Sequence, residues 1–133
     1  MITNRSMPPG VIIPELPYED VNKAATWLCQ AFGFKERLRI GNHRCQLTFG
    51  QNSVVAVERT EPGTSFILMH VDHVDDYYER AKQSGARIIR LPADYPFGER
   101  QCTVEDLGGH RWTFSQSVAD SDPVTWGGEL IEP

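Results

Sequence analysis

The stretch DVNKAATWLCQAFG (residues 20–33) decides the fold, because the chain repeats its design 52 positions later, from Asp72 to Gly85. In the first copy Val21, Ala24, Ala25, Leu28, Ala31 and Phe32 recur at three- and four-residue spacing, which gathers them on one face of a helix. Asp20 stands where an N-cap belongs and Gly33 where a helix ends in the left-handed region. In the second copy Asp72 is the expected cap, Val74, Tyr77, Tyr78 and Ala81 the apolar face, and Gly85 the stop.

Outward from each helix the pattern changes to that of strands. Before the first lies the β-rich run Val11 to Leu16, whose Pro14 points to a sheet edge or a bulge. After it come strands at 34–40, 43–49 and 53–59, separated by Gly41-Asn42 and Gly50-Gln51-Asn52. Phe66 to Val71 precedes the second helix, and strands at 87–91, 100–105 and 110–115 follow it. Asp106-Leu107-Gly108-Gly109 forms the last hairpin turn. Equal halves in the same order indicate duplication. The predicted class is α+β: a βαβββ module over 11–61, a second over 62–116, and a tail over 117–133, in one structural domain. A sheet with one helix on its outer face must cover the other face, so the two sheets are expected to face each other around a concave cup.

Composition narrows the function. The net charge is −5, from 18 acidic and 13 basic side chains, and no cluster of Lys and Arg appears. Counterion release therefore has no source, which argues against nucleic acid and anionic membranes as partners. No apolar run is long enough to span a bilayer, and the first ten residues lack the apolar stretch of a secretory signal. Cys29, Cys45 and Cys102 are odd in number and form no CxxC pair, as expected of reduced thiols in a cytoplasmic protein.

Two segments carry a family resemblance. Pro17-Tyr18-Glu19-Asp20-Val21, with the following helix and Ala31-Phe32-Gly33-Phe34, resembles the opening of the vicinal oxygen chelate superfamily (glyoxalase, bleomycin resistance protein and extradiol dioxygenase). Tyr95-Pro96-Phe97-Gly98-Glu99-Arg100-Gln101, then Val104 to Phe114 with Asp106-Leu107-Gly108-Gly109-His110-Arg111-Trp112, resembles the closing pattern of its metal-poor, PhnB-like or bleomycin-resistance-like branch. Leu107 replaces the usual Pro. The likeness runs from about residue 11 to 116 and implies the fold; the superfamily hosts unrelated chemistries on one scaffold.

Metal-dependent members place one His or Glu on the first and last strand of each module. Those places fall here on Ile13, Ala56, Phe66 and Thr113. Three offer no lone pair and Thr is a weak ligand, so neither a metal site nor another cofactor is expected. A register slip of two would instead gather Glu15, Glu58 and His70, the alternative site of a superfamily lyase, isomerase or dioxygenase. The His70-x-Asp72 pair with His110 superficially matches a facial triad, but Asp72 reads as a cap and His110 as a turn residue.

Strand alternation assigns the cup lining. Trp112 and Phe114 belong under the helix, leaving Arg111, Thr113 and Ser115 in the cup. The same rule gives Gln46 and Thr48, then Val54, Ala56 and Glu58, then Phe66, Leu68 and His70, then Gln101, Thr103 and Glu105. The candidate ligand-binding residues are Gln46, Thr48, Glu58, Phe66, His70, Gln101, Thr103, Arg111 and Thr113, around an apolar floor that includes Ile13 and Ala56. Such a lining suits a small molecule. Arg100 and Arg111 are the cations expected nearest to it. The reading is a metal-independent small-molecule-binding protein that sequesters an antibiotic or metabolite, acting as a homodimer. Tyr95, Phe97 and Trp126 are expected at the pocket mouth or a subunit contact, and Trp126 is expected to be substantially buried against its own domain or a dimer partner.

Overall fold

The computed structural model describes residues 3–131. It has the order β1 (Glu15–Tyr18), α1 (Val21–Phe32), β2 (Lys35–Ile40), β3 (Arg44–Phe49), β4 (Asn52–Glu58), β5 (Phe66–His70), α2 (Val74–Gln83), β6 (Arg87–Asp94), β7 (Glu99–Glu105), β8 (Arg111–Ser117) and a 3-10 turn at Pro123–Trp126. The strands form two four-stranded mixed sheets, ordered β1-β4-β3-β2 and β5-β8-β7-β6. In each, the first strand runs parallel to the fourth and the others are antiparallel. These are the two βαβββ modules of an α+β fold.

Helix α1 forms where the 3.6 period places it. All six residues of the apolar stripe are buried, Asp20 caps Lys23 N–H at 3.1 Å, and Gly33 closes the helix at φ 82°. Helix α2 departs from the expected cap. His73 is its N-cap residue and makes no side-chain cap bond, whereas Gln116 on β8 reaches across to accept from Val74 N–H at 2.9 Å. Asp75 and Asp76 in the first turn complement the helix dipole. The first strand also starts late. Pairing begins at Glu15, and Val11 and Ile12 lie outside the sheet with exposed side chains.

The modules share a core instead of meeting only around an open cup. They meet through α1 against α2 and through the helix-side faces of both sheets. The Phe32 ring packs on Trp112 (5.0 Å between centroids) and Phe114 (5.2 Å), and Phe34 packs on Trp112 (5.6 Å). Trp27 Nε1 donates to the Ser84 carbonyl at the end of α2 (2.8 Å). The apolar stripes of both helices and the apolar sides of both sheets thus share one core, which leaves the opposite face of each sheet pointing outward. The duplicated pattern permits either arrangement, and the aromatic rings at the C-terminal end of α1 favour this one.

A buried polar cluster pins the modules at the β7–β8 turn. Asp106 accepts from the Tyr18 hydroxyl (2.6 Å) and Trp112 Nε1 (2.9 Å) through one oxygen, and from the Gly108 and His110 amides (2.9 and 3.0 Å) through the other. The fully buried His110 accepts from Ser65 N–H at Nδ1, so Nε2 carries the proton and donates to the Pro17 carbonyl (2.7 Å). Gly108 is obligatory here, since a Cβ would lie 2.5 Å from the Tyr18 ring.

The three cysteines are unpaired thiols. Burial pushes the thiols of Cys45 and Cys102 up to about 11, and that of the less buried Cys29 also upward. Thiolate is the reactive form. Titration of the native protein at pH 8 with a chromogenic disulfide should therefore leave Cys45 and Cys102 unmodified over the time in which denatured protein yields all three. Rapid labelling of two or more thiols would contradict this burial.

Candidate functional site

On the second sheet, alternation places side chains as the sequence implies. Ile67 and Met69 pack toward the core and Cys102, Val104, Trp112 and Phe114 are buried. Phe66, Leu68 and His70 on β5, Arg111, Thr113 and Ser115 on β8, and Gln101, Thr103 and Glu105 on β7 take the outward face. Cross-strand partners confirm the grouping: Phe66 opposes Arg111, Leu68 opposes Thr113, and Thr103 opposes Thr113. Six of the nine candidate ligand-binding residues therefore share one face.

Phe66 and Leu68 are 78% and 67% exposed, an unusual cost in apolar surface for neighbouring residues on a strand. Beside them runs a polar strip. Thr103 and Thr113 share a hydroxyl hydrogen bond (2.8 Å), Gln101 Nε2 donates to Ser115 Oγ (3.0 Å), and Ser115 Oγ donates to Glu99 (2.7 Å). His70 Nε2 lies 3.1 Å from Ser117 Oγ and 3.9 Å from the Glu99 carboxylate. Hydroxyl hydrogen bonds from Ser117 and Ser115 hold the Glu99 carboxyl below its usual range. Glu99, Ser115 and Ser117 belong to this strip although sequence reasoning did not name them as ligand residues. Carrying the alternation two residues back from Gln101 and two forward from Ser115 would have reached Glu99 and Ser117.

The first sheet corrects part of the lining. Gln46 opposes Val55 and Thr48 opposes Ser53, so these four share the outward face, whereas Val54 and Ala56 oppose Leu47 and Cys45 and turn into the core. Val54 and Ala56 are thus on the helix side, not in a cup. Glu58, at the end of β4, pairs with His43 at 2.9 Å in solvent. Gln46, Thr48 and Glu58 lie on the first sheet and the other six candidates on the second. Arg100 is likewise displaced: it sits on the helix side of β7, between Asp75 and Asp94 (3.0 and 3.2 Å).

The alternative carboxylate and imidazole site is not assembled. Glu15 pairs with Arg44 at 2.5 Å, Glu58 with His43, and His70 stands on the other sheet. Among the described residues no group of three His, Cys, Asp or Glu side chains converges as metal ligands would. The outward positions of β4, β5 and β8 nearest the family's ligand places hold Val55, Val57, Phe66, Leu68 and Thr113, and this donor set does not fit a divalent ion.

A cleft of about 350 Å³ opens at the seam of the modules, lined by Ile12, Pro14, Phe34, Phe49, Leu68 and His70 among others. Of the candidate residues it includes only His70. The Tyr95–Gly98 loop and the tail carry the three aromatics that sequence reasoning grouped. Tyr95 stacks on Phe97 (5.5 Å) and Phe97 meets Trp126 (5.6 Å). The tail is tied down there by Val118 and Ala119 amides donating to the Gly98 carbonyl. Within its own chain Trp126 remains 46% exposed, because a single 3-10 turn resting on one ring covers only one side of it.

Residues 11–114 match the model of the Glyoxalase/Bleomycin resistance protein/Dioxygenase superfamily. With two βαβββ modules and this match over most of its length, the chain belongs to that superfamily. The structure is similar to that of TioX from Micromonospora sp. ML1, at 31% identity and a TM-score of 0.75, covering 81% of this chain and 98% of that one. It shares its fold with the hypothetical protein SA1046 from S. aureus (24% identity, TM-score 0.66, 83% and 94% covered). It also shares it with lactoylglutathione lyase from Agrobacterium tumefaciens (14%, 0.69, 92% and 100% covered). No curated protein matches the chain. No helix among the described residues is long and apolar enough to cross a membrane.

Proposed function

We propose that the protein binds a small planar organic molecule without a metal, on the outward face of the β5-β8-β7-β6 sheet, and so sequesters an antibiotic or metabolite. The observation that carries this reading is the exposed Phe66–Leu68 pair set beside the strip of Gln101, Thr103 and Thr113. An apolar ring plane rests on the first, and polar edges of the same molecule reach the second. Arg111, half-buried opposite Phe66, supplies a cation for an anionic substituent. The apolar and hydroxyl side chains at the family's ligand places support the metal-independent reading. So much apolar surface on one face also favours a homodimer in which a second copy closes over the bound molecule.

The test compares wild type with Thr113→Arg, which fills the face with a long charged side chain. Both are analysed for metal and then melted with a panel of planar aromatic antibiotics, bleomycin among them. Zinc, nickel, iron and manganese are expected far below one per chain. At least one compound at 100 times its Kd should stabilise wild type by about 2.7 kcal/mol. Thr113→Arg should lose that gain while its own stability falls by no more than about 1.5 kcal/mol, the upper range for the Thr103–Thr113 hydrogen bond it gives up. Stoichiometric metal, or equal stabilisation of both proteins, would overturn the reading.

A further inference from the structure

The same face of the other sheet is not bare. Residues 5–9 of the chain lie across the outward side of β3 and β4, where Pro8, Gln46, Ser53 and Val55 are all buried. Three side chains hold this segment, and each does so by donating to a backbone carbonyl. Arg37 Nη2 donates to Arg5 O (2.7 Å), Gln46 Nε2 to Ser6 O (2.8 Å), and Ser53 Oγ to Pro9 O (2.7 Å). The Gln46 amide has one orientation available, because Arg37 Nη1 donates to its oxygen at 2.6 Å and turns its NH₂ toward the segment.

The segment is complementary in kind. Pro8 and Pro9 have no N–H to offer. The Ser6 and Met7 amides are turned back onto Asn4, donating to its side-chain oxygen (3.0 Å) and its carbonyl (3.1 Å). The Arg5, Ser6 and Pro9 carbonyls are thus left to accept from the sheet. Gly10, at φ 111°, then turns the chain toward β1 in a conformation that L side chains rarely adopt. Nothing about this contact is required by the duplicated fold, since the second sheet leaves the same face uncovered.

We infer that the outward face of the first sheet is a binding site for a short peptide that enters as a turn followed by prolines, and that residues 5–9 fill it in cis. The turn bond at Asn4 and the fixed φ of Pro8 and Pro9 preorganise the segment, so its carbonyls meet the three side-chain donors at a reduced cost in conformational entropy. Tethering gives the strap an effective concentration near the millimolar range, so a free peptide competes only when the strap is displaced. This site is on a different sheet from the one proposed above, and neither reading depends on the other.

The test uses the full chain and a fluorescein-labelled peptide with the sequence of residues 3–10. Pro8→Lys drives the strap out by placing an ammonium group at a buried position. Gly10→Val does so independently by forbidding the turn. Each displaced variant should bind the peptide at least tenfold more tightly than wild type by fluorescence anisotropy. Adding Gln46→Ala and Ser53→Ala to either should remove at least tenfold of that affinity. Trypsin should cut after Arg5 at least tenfold faster in the displaced variants. The inference is overturned if folded variants bind the peptide no better than wild type. It is equally overturned if the added alanines leave binding unchanged, if Arg5 is cut no faster, or if neither variant folds, because the segment is then a fixed part of the core.

Discussion

Asp106→Ala is expected to destabilise the protein by about 3–5 kcal/mol, the range for removing one partner from a buried charged network. Its carboxylate is the common acceptor for four donors: the Tyr18 hydroxyl, the Trp112 indole and the amides of Gly108 and His110. Alanine would leave all four in a dry site, and each unsatisfied donor there costs about 1–3 kcal/mol before the structure relaxes. Two of the donors belong to opposite modules, so the loss also loosens how the halves meet. Asp106→Asn keeps the shape but turns one acceptor end into a donor facing a donor, and should fall between wild type and alanine. Urea unfolding followed by tryptophan fluorescence and far-UV circular dichroism measures both. A loss under about 1 kcal/mol for alanine would mean that the cluster is not desolvated as described. The cluster also acts on the alkaline side. Burial, and then Asp106, hold the Tyr18 hydroxyl well above the usual tyrosine range. The neutral form is favoured in the folded state, so this stabilisation is present below the unfolded tyrosine value of about 10 and is lost as pH rises above it.

Trp112→Ala should cost a similar amount, about 3–5 kcal/mol, for a different reason. The side chain is fully buried between Phe32 and Phe34, and truncation leaves a cavity at the point where α1 meets the second sheet. Thr113, one residue on, points outward and should tolerate even arginine. Neighbouring residues on one strand thus separate stability from binding, and equal effects of Trp112→Ala and Thr113→Arg on the melting temperature would refute the assignment of faces. Because Trp112 donates to Asp106, the double variant Asp106→Ala/Trp112→Ala should lose less than the two single losses added together.

Strand and helix order, and the facing of the second sheet, were legible because their residues contrast. Buried Cys102, Val104, Trp112 and Phe114 alternate with Gln101, Thr103, Thr113 and Ser115, and only one register satisfies both sets. Strand β4 offers no such contrast. Val54, Val55 and Ala56 are all apolar because the strand is covered on both sides, by the core on one and by the Pro8 segment on the other. Alternation cannot orient a strand that is covered on both faces, which is why Val54 and Ala56 point in where the alternation predicts outward. The cap of α2 escaped for a related reason: the partner of Val74 N–H is Gln116, 42 residues away, while cap patterns are local.

The sequence by itself determined the duplication, the α+β class, the family and the polar strip on the second sheet, since each depends on spacing within a few residues or on repeated order. Tertiary contacts decided that the two modules share one core, that the Pro8 segment covers the outer face of the first sheet, and that Glu15, Glu58 and His70 stay separate. Those outcomes rest on which apolar surfaces meet across the chain, and the aromatic contacts of Phe32 and Phe34 with Trp112 and Phe114 join residues too distant for any local pattern to encode.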